Sequence, residues 1–183
     1  GIPYPNAEIK CIDGKGDEVP QGEVGEIIIK SKFVMKGYWK RPEATENAIR
    51  NGWFHSGDVG YFDADGYLYI HDRLKDMIVS GGENVYPAEV ENGLFGYPGI
   101  ADVAVIGVPS ERWGEAVKAI LVLSPDANFV EKEFIAYAKT KIAGYKCPKS
   151  VDIVNVLPRN ASGKVLRRQL REPYWKNSER QVS

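Results

Sequence analysis

Four short segments of this chain combine residue types that can do chemistry. In His55-Ser56-Gly57-Asp58, a carboxylate follows a glycine at a strand–turn junction. Such an Asp can accept hydrogen bonds from two neighbouring hydroxyls, as a ribose 2′,3′-diol offers, although plain turns use the same residues. Asp72-Arg73-Leu74-Lys75-Asp76-Met77-Ile78 packs both signs of charge into one stretch. It reads as a solvated linker or as a hinge, since exposed polar residues tolerate more than one backbone state. Ser80-Gly81-Gly82-Glu83-Asn84 carries paired glycines, which permit positive φ and close backbone approach. A narrow ligand channel needs that, and so does an ordinary tight loop. Pro158-Arg159-Asn160-Ala161-Ser162-Gly163-Lys164 presents a lysine after small residues, at the expected start of a helix. Its ammonium could be carried onto a phosphate, or it is a surface lysine after a turn. A Walker A loop is excluded: Pro158 stands where the first Gly belongs, and Val165 follows Lys164 instead of Ser or Thr.

The elements that must hold these segments fall into two styles. Residues 1–72 read as short strands and turns. Ala7–Ile12 alternates, Gly25–Lys30 is a buried-type strand, and Arg41–Asn51 is a short helix that opens with Pro42 and stops at Gly52. Tyr61-Phe62 and Tyr67–Ile70 form a hairpin around Asp63-Ala64-Asp65-Gly66. That loop resembles the opening of a calcium site but has no Glu at the twelfth position. After residue 73, strands at Met77–Ser80, Val103–Val108, Ala116–Leu123 and Ser150–Val156 interleave with helices at Pro87–Phe95, Glu131–Ala143 (ended by Gly144) and Val165–Trp175, the last stopping near Pro173. The expected organisation is α+β. A β-rich region over 1–72 is joined by a hinge at 73–76 to a small α+β domain over 77–183, with a short antiparallel sheet flanked by helices.

Bulk properties narrow the function. Among 183 residues, 43% hydrophobic and 27% charged suit a globular fold with a sizeable core. The 24 Lys+Arg against 25 Asp+Glu give a net charge of −1, which argues against a general nucleic-acid binder. Cys11 and Cys147 lie far apart, and His55 and His71 do not cluster with them, so neither a disulfide framework nor a zinc site is expected. Free thiols point to a reducing cytoplasm, and Asn160-Ala161-Ser162 reads as a coincidental sequon. No apolar run reaches the length of a membrane span, and Gly1-Ile2-Pro3-Tyr4-Pro5-Asn6 has no signal-peptide character. The missing initial Met suggests a piece of a longer chain. Lys139, Lys141, Lys146 and Lys149 could assist a ligand phosphate or simply solvate a helix face.

Each segment alone is weak, but their order is specific. Gly57-Asp58, then Asp72-Arg73-Leu74-Lys75-Asp76 running into Ser80-Gly81-Gly82-Glu83-Asn84-Val85-Tyr86-Pro87-Ala88-Glu89-Val90-Glu91, then Pro158-Arg159-Asn160-x-x-Gly163-Lys164, resembles the adenylate-forming superfamily. Gly25–Ile29, Gly37-Tyr38-Trp39 and Trp113-Gly114-Glu115 fit as well. The acyl-CoA synthetase and fatty-acid-CoA ligase branch is the nearest match. The resemblance implies the C-terminal portion of an ATP-dependent acid–thiol ligase, in which a carboxylate and ATP give acyl-AMP and pyrophosphate, and CoA then gives acyl-CoA and AMP. It implies that Asp58 holds the ribose hydroxyls and that Arg73 also contacts the nucleotide. Lys75 would be both a nucleotide-binding residue and the hinge, Gly81 and Gly82 the CoA pantetheine loop, and Lys164 the catalytic lysine of adenylation. ATP and CoA would be co-substrates. Mg²⁺, the phosphate loop, the Tyr-Gly-x-Thr-Glu segment and the carboxylic-acid pocket would belong to the rest of the large N-terminal domain, leaving these residues inactive by themselves. Loading of a carrier protein, or a non-catalytic nucleotide- or partner-binding module, are the alternatives.

Overall fold

A computed structural model describes residues 1–176, so the last stretch of the expected second domain, 177–183, lies outside the described residues. The chain divides into two compact units, Gly1–Lys75 and Asp76–Ser183.

The first unit contains β1 (Ala7–Ile12), β2 (Gly25–Ser31), α1 (Pro42–Ala48), β3 (Ile49–Arg50), β4 (Trp53–Phe62) and β5 (Leu68–Arg73). They form a five-stranded antiparallel sheet in the order β1-β2-β4-β3, with β5 also on β4. The β4–β5 hairpin forms as expected, because Asp63 Oδ1 accepts the backbone N–H of Asp65 at 3.0 Å and of Tyr67 at 2.8 Å. That carboxylate thus serves the turn. The helix expected over 41–51 is shorter. It ends at Ala48, and Ile49 and Arg50 pair instead with Phe54 and Trp53. Asn51 (φ +50°) and Gly52 (φ +79°) make the tight turn between them, which is the Asn-Gly signature of a two-residue hairpin. The core is thin: Cys11, Ile12, Ile27, Ile28 and Val59 are its buried hydrophobic residues.

The second unit begins at Asp76, the last residue of the 3₁₀ turn Leu74–Asp76. It holds β6 (Ile78–Ser80), β7 (Glu83–Val85), α2 (Pro87–Leu94), β8 (Ile100–Ser110), β9 (Gly114–Leu123), α3 (Glu131–Lys141), β10 (Ser150–Ile153) and α4 (Arg167–Trp175). β9 is the centre of this sheet, pairing antiparallel with β8 and β6 and parallel with β10. The expectation of an antiparallel sheet therefore holds except at β10. The chain leaves β9, crosses through α3 and returns in the same direction, and a helical crossover of that kind delivers a parallel neighbour.

Both faces of the sheet are covered, and the residues alternate to suit. Val103, Val105, Val117, Ala119 and Leu121 face α2 and α3, packing with Val90, Leu94, Phe134 and Ala138. Ala104, Ile106, Val108 and Ile120 face the other way, toward Leu157, Leu170 and Tyr174. This explains the nearly continuous apolar runs of β8 and β9, because a strand buried on both sides has no polar face. Lys118 is the exception, and it is only 8% exposed. Its ammonium lies 2.5 Å from Asp152 and 5.0 Å from the centre of the Tyr174 ring.

Two helix ends differ from expectation. α3 stops at Lys141 and not at Gly144, because Ile142 turns extended (φ −135°, ψ 159°) and packs on the α2–α3 face. α4 begins at Arg167, so Lys164 lies in the loop before it and not at its start, and the helix runs through Pro173 to Trp175. Its end is held from the side: Tyr174 donates to Asp152 and Trp175 Nε1 donates to Gly107 O.

Candidate functional site

On the first unit, Asp58 and Arg73 are brought together. They are register partners on β4 and β5, and Arg73 Nη1 lies 2.8 Å from Asp58 Oδ1. A local irregularity presents them. Between Glu26↔Val59 and Ile28↔His55, two steps along β2 oppose four along β4, so Ser56-Gly57-Asp58 bulges from the ladder. Gly57 supplies the left-handed conformation this needs, at φ +70°. Ser56 Oγ replaces part of the lost ladder by donating to Ile27 O at 2.7 Å and accepting from Asp58 N at 3.1 Å. Bulges of this type re-aim side chains at the edge of a sheet. The pair does little for stability: its side chains are 33% and 48% exposed, and such ion pairs contribute about 0–1 kcal/mol. The strand deformation is better understood as presenting an acceptor and a guanidinium to something else.

Lys75 is the last residue of the first unit and is exposed in the 3₁₀ turn Leu74–Asp76. The residue that follows it, Asp76, is half-buried and belongs to the second unit.

Gly81 and Gly82 form the two-residue turn of the β6–β7 hairpin, with φ of +63° and +88°. A turn with both central residues left-handed is where Gly-Gly belongs. Gly81 is also fixed by a neighbour. Its N–H donates to Trp113 O at 2.9 Å, and a Cβ there would come within 2.9 Å of the Trp113 ring, while Gly82 faces open space. Trp113 carries Arg112 on its ring at 4.6 Å. Sequence reading placed Trp113-Gly114-Glu115 only as a matching motif. The structure gives it a task, since Glu115 Oε2 accepts Val79 N at 3.1 Å and Gly114 pairs with Ser80, so the motif buttresses the glycine turn.

Lys164 ends a self-organised loop. Asn160 Oδ1 accepts from Ser162 N, Ser162 Oγ and Lys164 N within 3.0 Å, Gly163 N donates to Asn160 O, and Asn160 N donates to Lys164 O. Arg159 clamps the loop from the side, 2.6 Å from both Gly163 O and Asp102 Oδ2. The backbone around Lys164 is therefore fixed while its side chain is exposed. This suits an ammonium that must reach an incoming anion.

Of the four basic residues considered for a CoA phosphate, Lys146 is committed elsewhere. It makes an ion pair of 2.5 Å with Glu89. Burial lowers its pKa, but the Glu89 hydrogen bond and charge outweigh this and leave it raised. Lys149 Nζ donates to Gly144 O, and Lys141 lies over the Tyr137 ring. Both cysteines are buried and free, with thiols pushed up chiefly by that burial. Among the described residues, no group of three or more His, Cys, Asp or Glu side chains is placed to hold a metal ion, and no helix is long and apolar enough to cross a membrane.

Comparison with known proteins shows the family. Residues 89–164 match the AMP-binding enzyme C-terminal domain, and residues 1–39 match the AMP-binding enzyme family. The chain is 51% identical to a feruloyl-CoA synthase of Amycolatopsis over 174 residues, covering 95% of this chain and 35% of that protein. It is 55% identical to a long-chain-fatty-acid–CoA ligase of Mycobacterium tuberculosis over 151 residues, covering 82% of this chain and 30% of that one. The crystal structure of ATP-bound MatB from Rhodopseudomonas palustris superimposes with a TM-score of 0.89 at 38% identity, over 98% of this chain and 36% of that chain. The chain thus spans about a third of the length of the relatives it matches. With one family match on each side of Lys75 and this degree of identity, the chain belongs to the adenylate-forming, AMP-binding enzymes.

Proposed function

We propose that this chain is the C-terminal part of an ATP-dependent acyl-CoA synthetase acting on a fatty acid. A carboxylate and ATP give acyl-AMP and pyrophosphate, and the thiol of CoA then displaces AMP to form the thioester. The observation that supports this reading is the division at Lys75: the Asp58–Arg73 ion pair lies before it, and the Gly81–Gly82 turn and the Lys164 loop lie after it. A two-step reaction on one adenylate needs such a division, because the groups suited to phosphate chemistry and those suited to thiol delivery must take turns at one centre.

In this scheme, Asp58 accepts hydrogen bonds from the ribose hydroxyls, and Arg73 holds the Asp58 carboxylate while contacting the nucleotide. Lys75 is the pivot. Lys164 bridges the substrate carboxylate and the α-phosphate oxygens. Adenylation brings two anions together and builds charge on phosphorus, and a compact ammonium stabilises that charge. Gly81 and Gly82 keep the wall of the pantetheine channel free of side chains. Mg²⁺ would be held mainly by the remainder of the large domain, together with the ATP phosphates. By themselves, these residues form no acyl-adenylate. The two free thiols suit a reducing, cytoplasmic setting.

The test uses the complete enzyme with ATP, a series of fatty acids and hydroxycinnamates, and either CoA or a phosphopantetheinylated carrier protein as acceptor. Release of pyrophosphate and formation of a fatty acyl-CoA support the proposal. Transfer to the carrier but not to CoA, or preference for the aromatic acids, overturns the corresponding part of it.

A further inference from the structure

The loop that carries Lys164 is gripped at both ends. Its front end is held by Arg159 against Asp102, as described above. Its rear end runs directly into α4, with Leu166 N donating to Pro158 O at 2.8 Å. The first residue of α4, Arg167, enters a charged cluster within the second unit. Arg167 Nη2 donates to both Glu91 oxygens, at 2.8 and 2.7 Å. Arg167 Nη1 lies 3.9 Å from Asp76 Oδ2, and Arg171 Nη2 lies 3.7 Å from Asp76 Oδ1. Glu91 Oε1 also accepts the backbone N–H of Val105 at 2.8 Å. The four side chains are between 12% and 19% exposed. Two arginines and two carboxylates balance in charge, so the cluster joins α2, β8, α4 and the residue that follows Lys75.

We infer that Arg167 is a positioning residue: through Glu91 and Asp76 it fixes the start of α4, and with it the Lys164 loop, to the first residue of the second unit. This inference rests on the role proposed for Lys164. Half-buried, hydrogen-bonded charge pairs hold geometry more firmly than exposed ones. The fold does not depend on this cluster alone to hold α4, since Leu170 packs on the sheet, Tyr174 binds Asp152 and Trp175 binds Gly107. What Arg167 adds is the placement of the near end of the helix, three residues from Lys164. A misplacement of about 1 Å in a reacting group costs on the order of 100-fold in rate.

The experiment is a cycle in the complete enzyme: Arg167→Met, Lys164→Ala and the double variant, assayed separately for ATP–pyrophosphate exchange and for thioester formation from synthetic acyl-AMP and CoA. In Arg167→Met, kcat for adenylation falls roughly 10- to 100-fold with KM for ATP unchanged. Thioester formation from acyl-AMP stays within about threefold of wild type, and Arg167→Lys recovers part of the lost rate. In the Lys164→Ala background the same Arg167 change costs less than about twofold, because the group it positions is gone. Equal losses in both backgrounds, or equal losses in both half-reactions, overturn the inference while leaving the role of Lys164 intact. If Lys164→Ala alone leaves adenylation unimpaired, the role of Lys164 is what falls, and the inference falls with it. Circular dichroism establishes that each variant folds. Should Arg167→Met not fold, Glu91→Gln breaks the same anchor and is read by the same criteria.

Discussion

The two units solve the burial problem differently. The second places a sheet between α2 and α3 on one side and α4 on the other, and both sides are filled with side chains such as Phe134, Leu121 and Ile106 that are almost fully buried. The first has one sheet, one short helix and a core of five buried hydrophobic residues, while Ile2, Phe33, Trp39 and Ile70 are each more than 65% exposed. Stability should follow that contrast, since burial of apolar area is the main term that opposes chain entropy. The proposed function makes matching demands: if the second unit turns as a body it must hold its own shape, whereas the first sheet would share its support with the rest of its domain.

The largest expected effect tests the contrast directly. Phe134→Ala should remove about 3–5 kcal/mol from the unfolding of the second unit. Urea titration followed by both near- and far-ultraviolet dichroism should show two transitions, with only the later one moved by the substitution. A single transition that shifts as a whole would show that the two units depend on each other and break the comparison.

Next in size is the division of labour. In the complete enzyme, Lys164→Ala should slow adenylation by about 10²–10³-fold, the usual cost of losing a comparable electrostatic stabiliser, while conversion of preformed acyl-AMP to thioester is largely kept. Equal loss in both steps would show that the second unit is not specialised in this way. Lys75→Pro should do the reverse. Proline fixes φ, and a locked pivot should slow the CoA step by about tenfold or more relative to adenylation. Normal CoA transfer in that variant would count against the hinge.

The smallest effect sharpens the account of the α4 face. Lys118 and then Tyr174 hydrogen-bond to Asp152 and hold its carboxyl below the ordinary range, against a burial that raises it. Burial, followed by the bond and charge of Asp152, pushes Tyr174 up to about 12. The depressed carboxyl contributes stability that is present above about pH 4 and lost as pH falls through its lowered value. The raised phenol contributes stability that is present below about pH 10 and lost as pH rises toward 12. Asp152→Asn should therefore cost about 1 kcal/mol across the neutral range, and the deficit should shrink at both extremes of a stability–pH curve measured by denaturant titration.

How much was legible beforehand depended on whether the cause was local. The β4–β5 hairpin was readable because Asp63 and Gly66 enforce it within four residues, and β8 and β9 were readable from their unbroken apolar runs. Ile49 and Arg50 read as helix because Pro42 and Gly52 bracket residues 41–51 as a start and a stop, although Asn51-Gly52 is also a hairpin signal. The parallel entry of β10 was hidden, because strand direction depends on the path of α3 and leaves no mark in Ser150–Ile153. The site divided in the same way. Asp58, Arg73, Gly81, Gly82 and Lys164 stand in dense motifs; Asp58 sits at a bulge, Gly81 and Gly82 in a turn and Lys164 in a loop, while Arg73 ends β5 opposite Asp58. Trp113 and Arg167 were not assigned tasks, because their partners lie tens of residues away in sequence.

The parallel pairing of β9 with β10 also has a kinetic consequence. β8 and β9 form a long hairpin closed by three residues, Glu111-Arg112-Trp113, and such local contacts close quickly. The pairing of Ser150 with Lys118 must wait for the intervening helix to fold back and close a much longer loop. During refolding, amide protection should reach β8 and β9 first and β10 later. The segment with Lys164, which follows β10, would then be among the last parts of its unit to acquire working geometry.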